Sequence, residues 1–157
     1  MSDTIARTYK SLFRGLSRTI PGGDPKAHGR TSSLRPVFEL RDRDGLGRLG
    51  KFTTAHGTVE TPALLPVINP SQSLIPPKEM KAKFAAQIVI TNAYILQRNL
   101  RERALAEGVH GILDFDGPVM TDSGAFQQHV YGGVEVSNEE IVAFQRDIHS
   151  DIGTSLD

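Results

Sequence analysis

The feature that most constrains this chain is an alternation that begins near residue 61 and runs to the end. Short apolar segments at Ala63–Val67, Gln87–Asn92, Pro118–Asp122 and Thr154–Asp157 have strand length and are rich in Val, Ile and Thr. Between them lie segments of helical character. Pro77–Phe84 carries proline at its first turn, Leu100–Ala106 stops at Gly108, and a third helix starts at Ser137 and runs to about His149. Ser137 with Glu140 three residues on is a capping box, which fixes where that helix begins. Strands separated by helices imply parallel pairing through right-handed crossovers. Before the alternation, Val37–Leu40, a turn at Asp44–Gly47, Arg48–Thr54 and a second turn at His56–Gly57 read as hairpin strands.

The expected fold is therefore α/β, the N-terminal half of a (β/α)8 TIM barrel preceded by a β-hairpin. A whole barrel takes about 250 residues, against 157 here, and an open half barrel exposes strand edges. The 157 residues are accordingly expected to be a fragment of a larger functional unit. Two regions are expected: 1–35, a basic extension and linker, and 36–157, the incomplete barrel. In the first, Ile5, Tyr9, Leu12, Phe13 and Leu16 fall at helical spacing among Arg7, Lys10 and Arg14, before the Pro21–Pro25 linker. That arm is either a source of phosphate contacts or an upstream extension without a role. Its Arg and Ser content also fits a transit peptide, although Asp3 and the absence of an apolar leader favour a cytoplasmic protein.

Lys plus Arg equals Asp plus Glu at 18 each, so net charge points to no anionic partner. There is no cysteine, which excludes a thiol nucleophile and a thiolate metal site in these residues. None of the five histidines, His28, His56, His110, His129 and His149, has ligand-like spacing, so no metal site is expected here. The Lys78, Lys81, Lys83 and Arg98, Arg101, Arg103 clusters read as solvated helix faces, with a nucleic-acid surface as the alternative.

Chemistry concentrates at Gly117–Gln127, where an apolar strand ends in Asp122, Ser123 and Gly124. Barrel enzymes place working groups at strand C-termini, whereas Asp-Ser-Gly alone is equally a turn. The longer string Met120–Gln127 resembles the guanine-pocket motif of the tRNA-guanine transglycosylases. Thr61–Val67 and Ile88–Leu96 resemble the first and second strand signatures of that family. Gly111–Pro118 resembles the approach to the motif, and Asn138–Ile152 the approach to the fourth strand.

The resemblance implies an enzyme, a pentosyltransferase that exchanges guanine in tRNA for a 7-deazaguanine base by double displacement at ribose C1′. Leu65–Pro70 and Met120–Gly124 look more like archaeal members, whose incoming base is 7-cyano-7-deazaguanine, in archaeosine biosynthesis. A queuine or preQ1 enzyme and a truncated noncatalytic tRNA-binding subunit are the alternatives. Asp122 matches a catalytic carboxylate, either nucleophile or general acid–base. Ser123, Gly124 and Gln127 match pocket positions, Phe126 an aromatic that stacks on the base, and Asp157 the aspartate that accepts from guanine N1 and N2. The family's single zinc is held by Cys and His ligands not found among these residues, and its members commonly form homodimers.

Overall fold

A computed structural model describes residues 37–126 and 136–156. The basic segment 1–35, Gln127 and Asp157 lie outside the described residues. The described residues form two sheets, a three-stranded antiparallel one in the order β1-β2-β3 and a four-stranded parallel one in the order β4-β5-β6-β7. The first comprises β1 (Val37–Asp44), β2 (Gly47–Thr54) and β3 (Gly57–Thr61). Gly45, at φ +56°, turns β1 into β2. The sheet joins the second through the Glu60 N–H, which donates to Gln87 Oε1 at 2.8 Å.

The parallel sheet contains β4 (Val67–Ile68), β5 (Val89–Asn92), β6 (Val119–Asp122) and β7 (Ile152–Gly153). Its strands alternate with α1 (Pro77–Phe84), α2 (Ala93–Leu113) and α3 (Asn138–Asp147). Residues 89 and 91 pair with 119 and 121, and all four are buried. Period-two alternation therefore turns Val89, Thr91, Val119 and Thr121 to one face, and Ile90, Asn92, Met120 and Asp122 to the other. The first face is packed by the helices. Tyr94, Leu96, Ala104 and Val109 of α2 and Ile141 and Phe144 of α3 join Val89 and Val119 in one apolar cluster. Burial of these side chains is the main stabilising term, at about 25 cal/mol per Å² of apolar surface.

Four boundaries differ from the expectations. The strand expected at Ala63–Val67 is confined to Val67–Ile68, because Pro62 and Pro66 have no N–H to give a ladder. The helix expected over Leu100–Ala106 begins earlier and ends later. Its start is set by Asn92, whose side chain accepts the Ile95 N–H, and it runs on to Leu113 through non-helical residues at Leu100 and Gly108. Gly108, at φ +71°, ends the regular helix where expected: the Val109 N–H turns to Ile148 O at 2.8 Å, and a further helical run follows to Leu113. The last helix closes at Asp147, not His149, and the last strand falls at Ile152–Gly153, ahead of the expected Thr154–Asp157. The Ser137–Glu140 capping box is present, with both reciprocal bonds made. No described helix is long and apolar enough to cross a membrane.

Candidate active site and an opposing histidine cluster

β5 and β6 end side by side, and their register sets Asn92 against Asp122. Among the described residues the Asn92 side chain makes two hydrogen bonds. Its Oδ1 accepts the Ile95 N–H at 2.9 Å and caps α2, while its Nδ2 donates to Asp122 Oδ2 at 3.0 Å. The Gly124 N–H approaches the other oxygen, Asp122 Oδ1, at 3.4 Å. A carboxylate so held is oriented at one oxygen and only loosely engaged at the other, and Asp122 is half-buried.

The loop after β6 is tied down by its backbone. The Ser123 N–H donates to Thr154 Oγ1 at 2.8 Å. Thr154 is gripped in turn by Gln145 of α3, which accepts its N–H at 3.0 Å and donates to its carbonyl at 2.8 Å. The Thr121 hydroxyl also reaches Gln145 Oε1, at 2.8 Å. Gly124 has φ +83°, and a Cβ there would collide with Cβ of Tyr94 and crowd Asn92 Oδ1. Glycine is thus required both by backbone conformation and by space. Ser123 is buried, whereas Phe126 is 72% exposed, so Phe126 is not a core residue. Asp122 thus ends β6, Ser123 and Gly124 form the turn after it, and Ala125 and Phe126 follow in helical backbone at the strand C-termini.

At the other end of the same strands, folding collects three residues that are remote in sequence. His56, in the β2–β3 turn, places Nδ1 2.9 Å from Asp151 Oδ1, and His110, from α2, places Nε2 3.1 Å from Asp151 Oδ2. The Val119 N–H donates to the same Oδ2 at 2.9 Å. The two imidazole rings stack with centroids 3.7 Å apart. The Asp151 side chain is 2% exposed. Burial alone would raise its pKa, but hydrogen bonds from His110, His56 and Val119 outweigh that, and the carboxyl lies well below its ordinary range. A cavity of about 1050 Å³ borders this cluster, with Glu107, Arg146 and Ser150 among its lining.

Residues 42–157 match the family model described as TGT: Queuine tRNA-ribosyltransferase. The chain belongs to the queuine tRNA-ribosyltransferase family. Among relatives within it, the tRNA-guanine(15) transglycosylase of Methanosarcina barkeri is 58% identical over 126 residues, which is 79% of this chain and 26% of that protein. The tRNA-guanine(15) transglycosylase of Methanothermobacter thermautotrophicus is 58% identical over 123 residues, 77% of this chain and 18% of the relative. The one from Archaeoglobus fulgidus is 58% identical over 120 residues, 76% of this chain and 25% of the relative. The chain thus spans about a quarter or less of the length of these curated relatives.

For this member of the queuine tRNA-ribosyltransferase family, the Asp122 loop offers a positioned carboxylate, two backbone N–H groups in a turn and an exposed aromatic ring. Such a set can hold the polar edge of a purine, stack on its face and move a proton beside it. Sequence reading located this loop but missed Asn92 as its partner and Gln145 as its fastening. Asn92 was legible as a residue ending a strand ahead of a helix, which is the N-cap pattern. The histidine cluster left no local signal, since its members are 41 and 95 residues apart.

Proposed function

We propose that this chain is the N-terminal part of the catalytic barrel of an archaeosine-type tRNA-guanine transglycosylase, acting in the cytoplasm. It exchanges a guanine of tRNA for 7-cyano-7-deazaguanine. The observation that carries this reading is the Asp122–Ser123–Gly124 loop at the C-termini of parallel strands, in a chain 58% identical to tRNA-guanine(15) transglycosylases. The parallel order β4-β5-β6-β7 with intervening helices supports the reading of the fold as the first half of a (β/α)8 barrel behind an antiparallel hairpin.

In the reaction, the bond between ribose C1′ and the departing guanine breaks, and a bond from C1′ to the incoming base forms. Two displacements keep the configuration at C1′, as in retaining glycosidases, and need one carboxylate at carbon and another group for protons. Asp122 takes the proton-handling role. Its Oδ2 is fixed by Asn92, which leaves Oδ1 to face a base. The N–H groups of Gly124 and Ala125 and the Ser123 hydroxyl address the polar edge of the purine, and Gln127 is a further substrate-binding residue by resemblance. Phe126 stacks on its face, and Asp157 accepts from guanine N1 and N2. The chain has no cysteine, so a Cys/His zinc site does not fit these residues, and no step here uses one. A homodimer is part of this reading.

The test supplies the full gene product with tRNA and labelled guanine. Label should enter tRNA that carries guanine at position 15, the position named for the relatives, and be chased out by 7-cyano-7-deazaguanine. Chase by queuine or preQ1 would instead make this an enzyme of that type. Binding of tRNA with no exchange would favour the noncatalytic subunit, and exchange unaffected by Asp122→Asn would overturn the role of Asp122.

A further inference from the structure

Of the two ends of the parallel sheet, the one without the Asp122 loop carries the denser set of potential ligand atoms. We propose that His56, His110 and Asp151 form a binding site for a divalent transition-metal ion of the zinc class, which pins the β2–β3 turn and α2 to the starts of β6 and β7. One ligand atom from each residue lies within 4.8 Å of the others. A tetrahedral ion with bonds of about 2.0–2.1 Å keeps its ligands about 3.3 Å apart. The two nitrogen-to-oxygen distances, 2.9 and 3.1 Å, are a few tenths of an ångström shorter and run to different oxygens of Asp151. Entry of an ion therefore requires the two stacked rings and the carboxylate to turn until both nitrogens and one oxygen face a common point.

The donor set suits such an ion. Two imidazoles and one carboxylate, without thiolate, favour late first-row ions over calcium or magnesium. With both rings neutral the cluster bears a single negative charge, and Asp151 is already deprotonated in the fold. The Val119 N–H orients the carboxylate from behind, the outer-shell contact that metal-bound carboxylates use. His56 is 39% exposed and gives access, and the adjoining cavity has room for water as the fourth ligand. On binding, each neutral imidazole carries its proton on the nitrogen turned away from the ion, and a protonated ring releases it. Glu107 and Arg146, of opposite charge, both line the cavity.

Cobalt(II) titration of the full gene product reads this site directly. The expected result is a visible cobalt spectrum that lacks the thiolate charge-transfer band of a cysteine-bound ion and that zinc displaces. It should weaken by more than about 10-fold in His110→Ala and in His56→Ala, since loss of even an outer-shell partner costs that much. His56 sits on an exposed turn, so its variant remains folded and decides the matter should Asp151 or His110 variants unfold. A thiolate-free spectrum that survives His56→Ala, or imidazole NMR signals of His56 and His110 that zinc leaves unmoved, would overturn the proposal and leave a plain hydrogen-bonded network.

Discussion

Asp122 and Asp151 stand at opposite ends of one parallel sheet, and their surroundings differ in kind. Asp151 is almost wholly buried, and both its oxygens are engaged at 2.9–3.1 Å by two imidazoles and a backbone N–H. Asp122 is half-buried, with one good hydrogen bond from Asn92 and a long one from Gly124. A carboxylate with both oxygens held by several elements at once fastens chain segments together. One held closely at a single oxygen among the described residues suits the proton-handling role proposed for Asp122. On the proposed function the same kind of side chain thus serves structure at one end and chemistry at the other, and how fully its lone pairs are engaged separates the two roles.

The largest effects should come from making the same change at both ends. Asp122→Asn should lower guanine exchange by about 10²–10⁴-fold, the usual worth of a general acid–base group, with little change in melting temperature. Asp151→Asn should do the reverse, costing about 2 kcal/mol of stability as charged hydrogen bonds are lost, measured by denaturant unfolding. Equal loss of stability in both variants would erase the distinction. Next in size, Gly124→Ala forces a side chain into a left-handed backbone beside Tyr94. It should cost about 1–3 kcal/mol and reduce exchange as the loop shifts, both readable from one purified variant.

A smaller effect is expected at Asn92. Asn92→Ala removes a helix cap worth about 1 kcal/mol and also frees Asp122. Its kcat should fall while KM for tRNA holds, and a change confined to KM would show that Asn92 does not position the carboxylate. The mildest test is acid. The folded pKa of Asp151 lies below its unfolded value of about 3.9, so its contribution is full above that pH and declines as pH falls through the folded value. Unfolding curves between about pH 5 and pH 2 should steepen in the wild type and flatten in Asp151→Asn.

How far these two ends could be read beforehand follows from the range of the forces that make them. The Asp122 loop and the Ser137 cap are written within a few residues, because strand ends, turns and caps are local. The β4 and α2 boundaries were misread where two local signals compete. Around Ala63–Val67 an apolar run says strand while Pro62 and Pro66 deny it. At Gly108 the helix breaker acts, and the helical run that resumes beyond it to Leu113 is held by packing of Val109 and Leu113 into the core. The meeting of His56, His110 and Asp151 depends on three elements arriving together, and no window along the chain contains it.

The fastening of the loop after β6 through the backbone of Ser123 bears on how such an enzyme diversifies. The tie runs from a main-chain N–H to Thr154 and on to Gln145, so it does not depend on which side chain stands at position 123. On the proposed function, another small side chain at that buried position can alter the pocket while the backbone tie is kept. Change at Gln145, a buried residue that also holds the Thr121 hydroxyl, is the one that selection should resist.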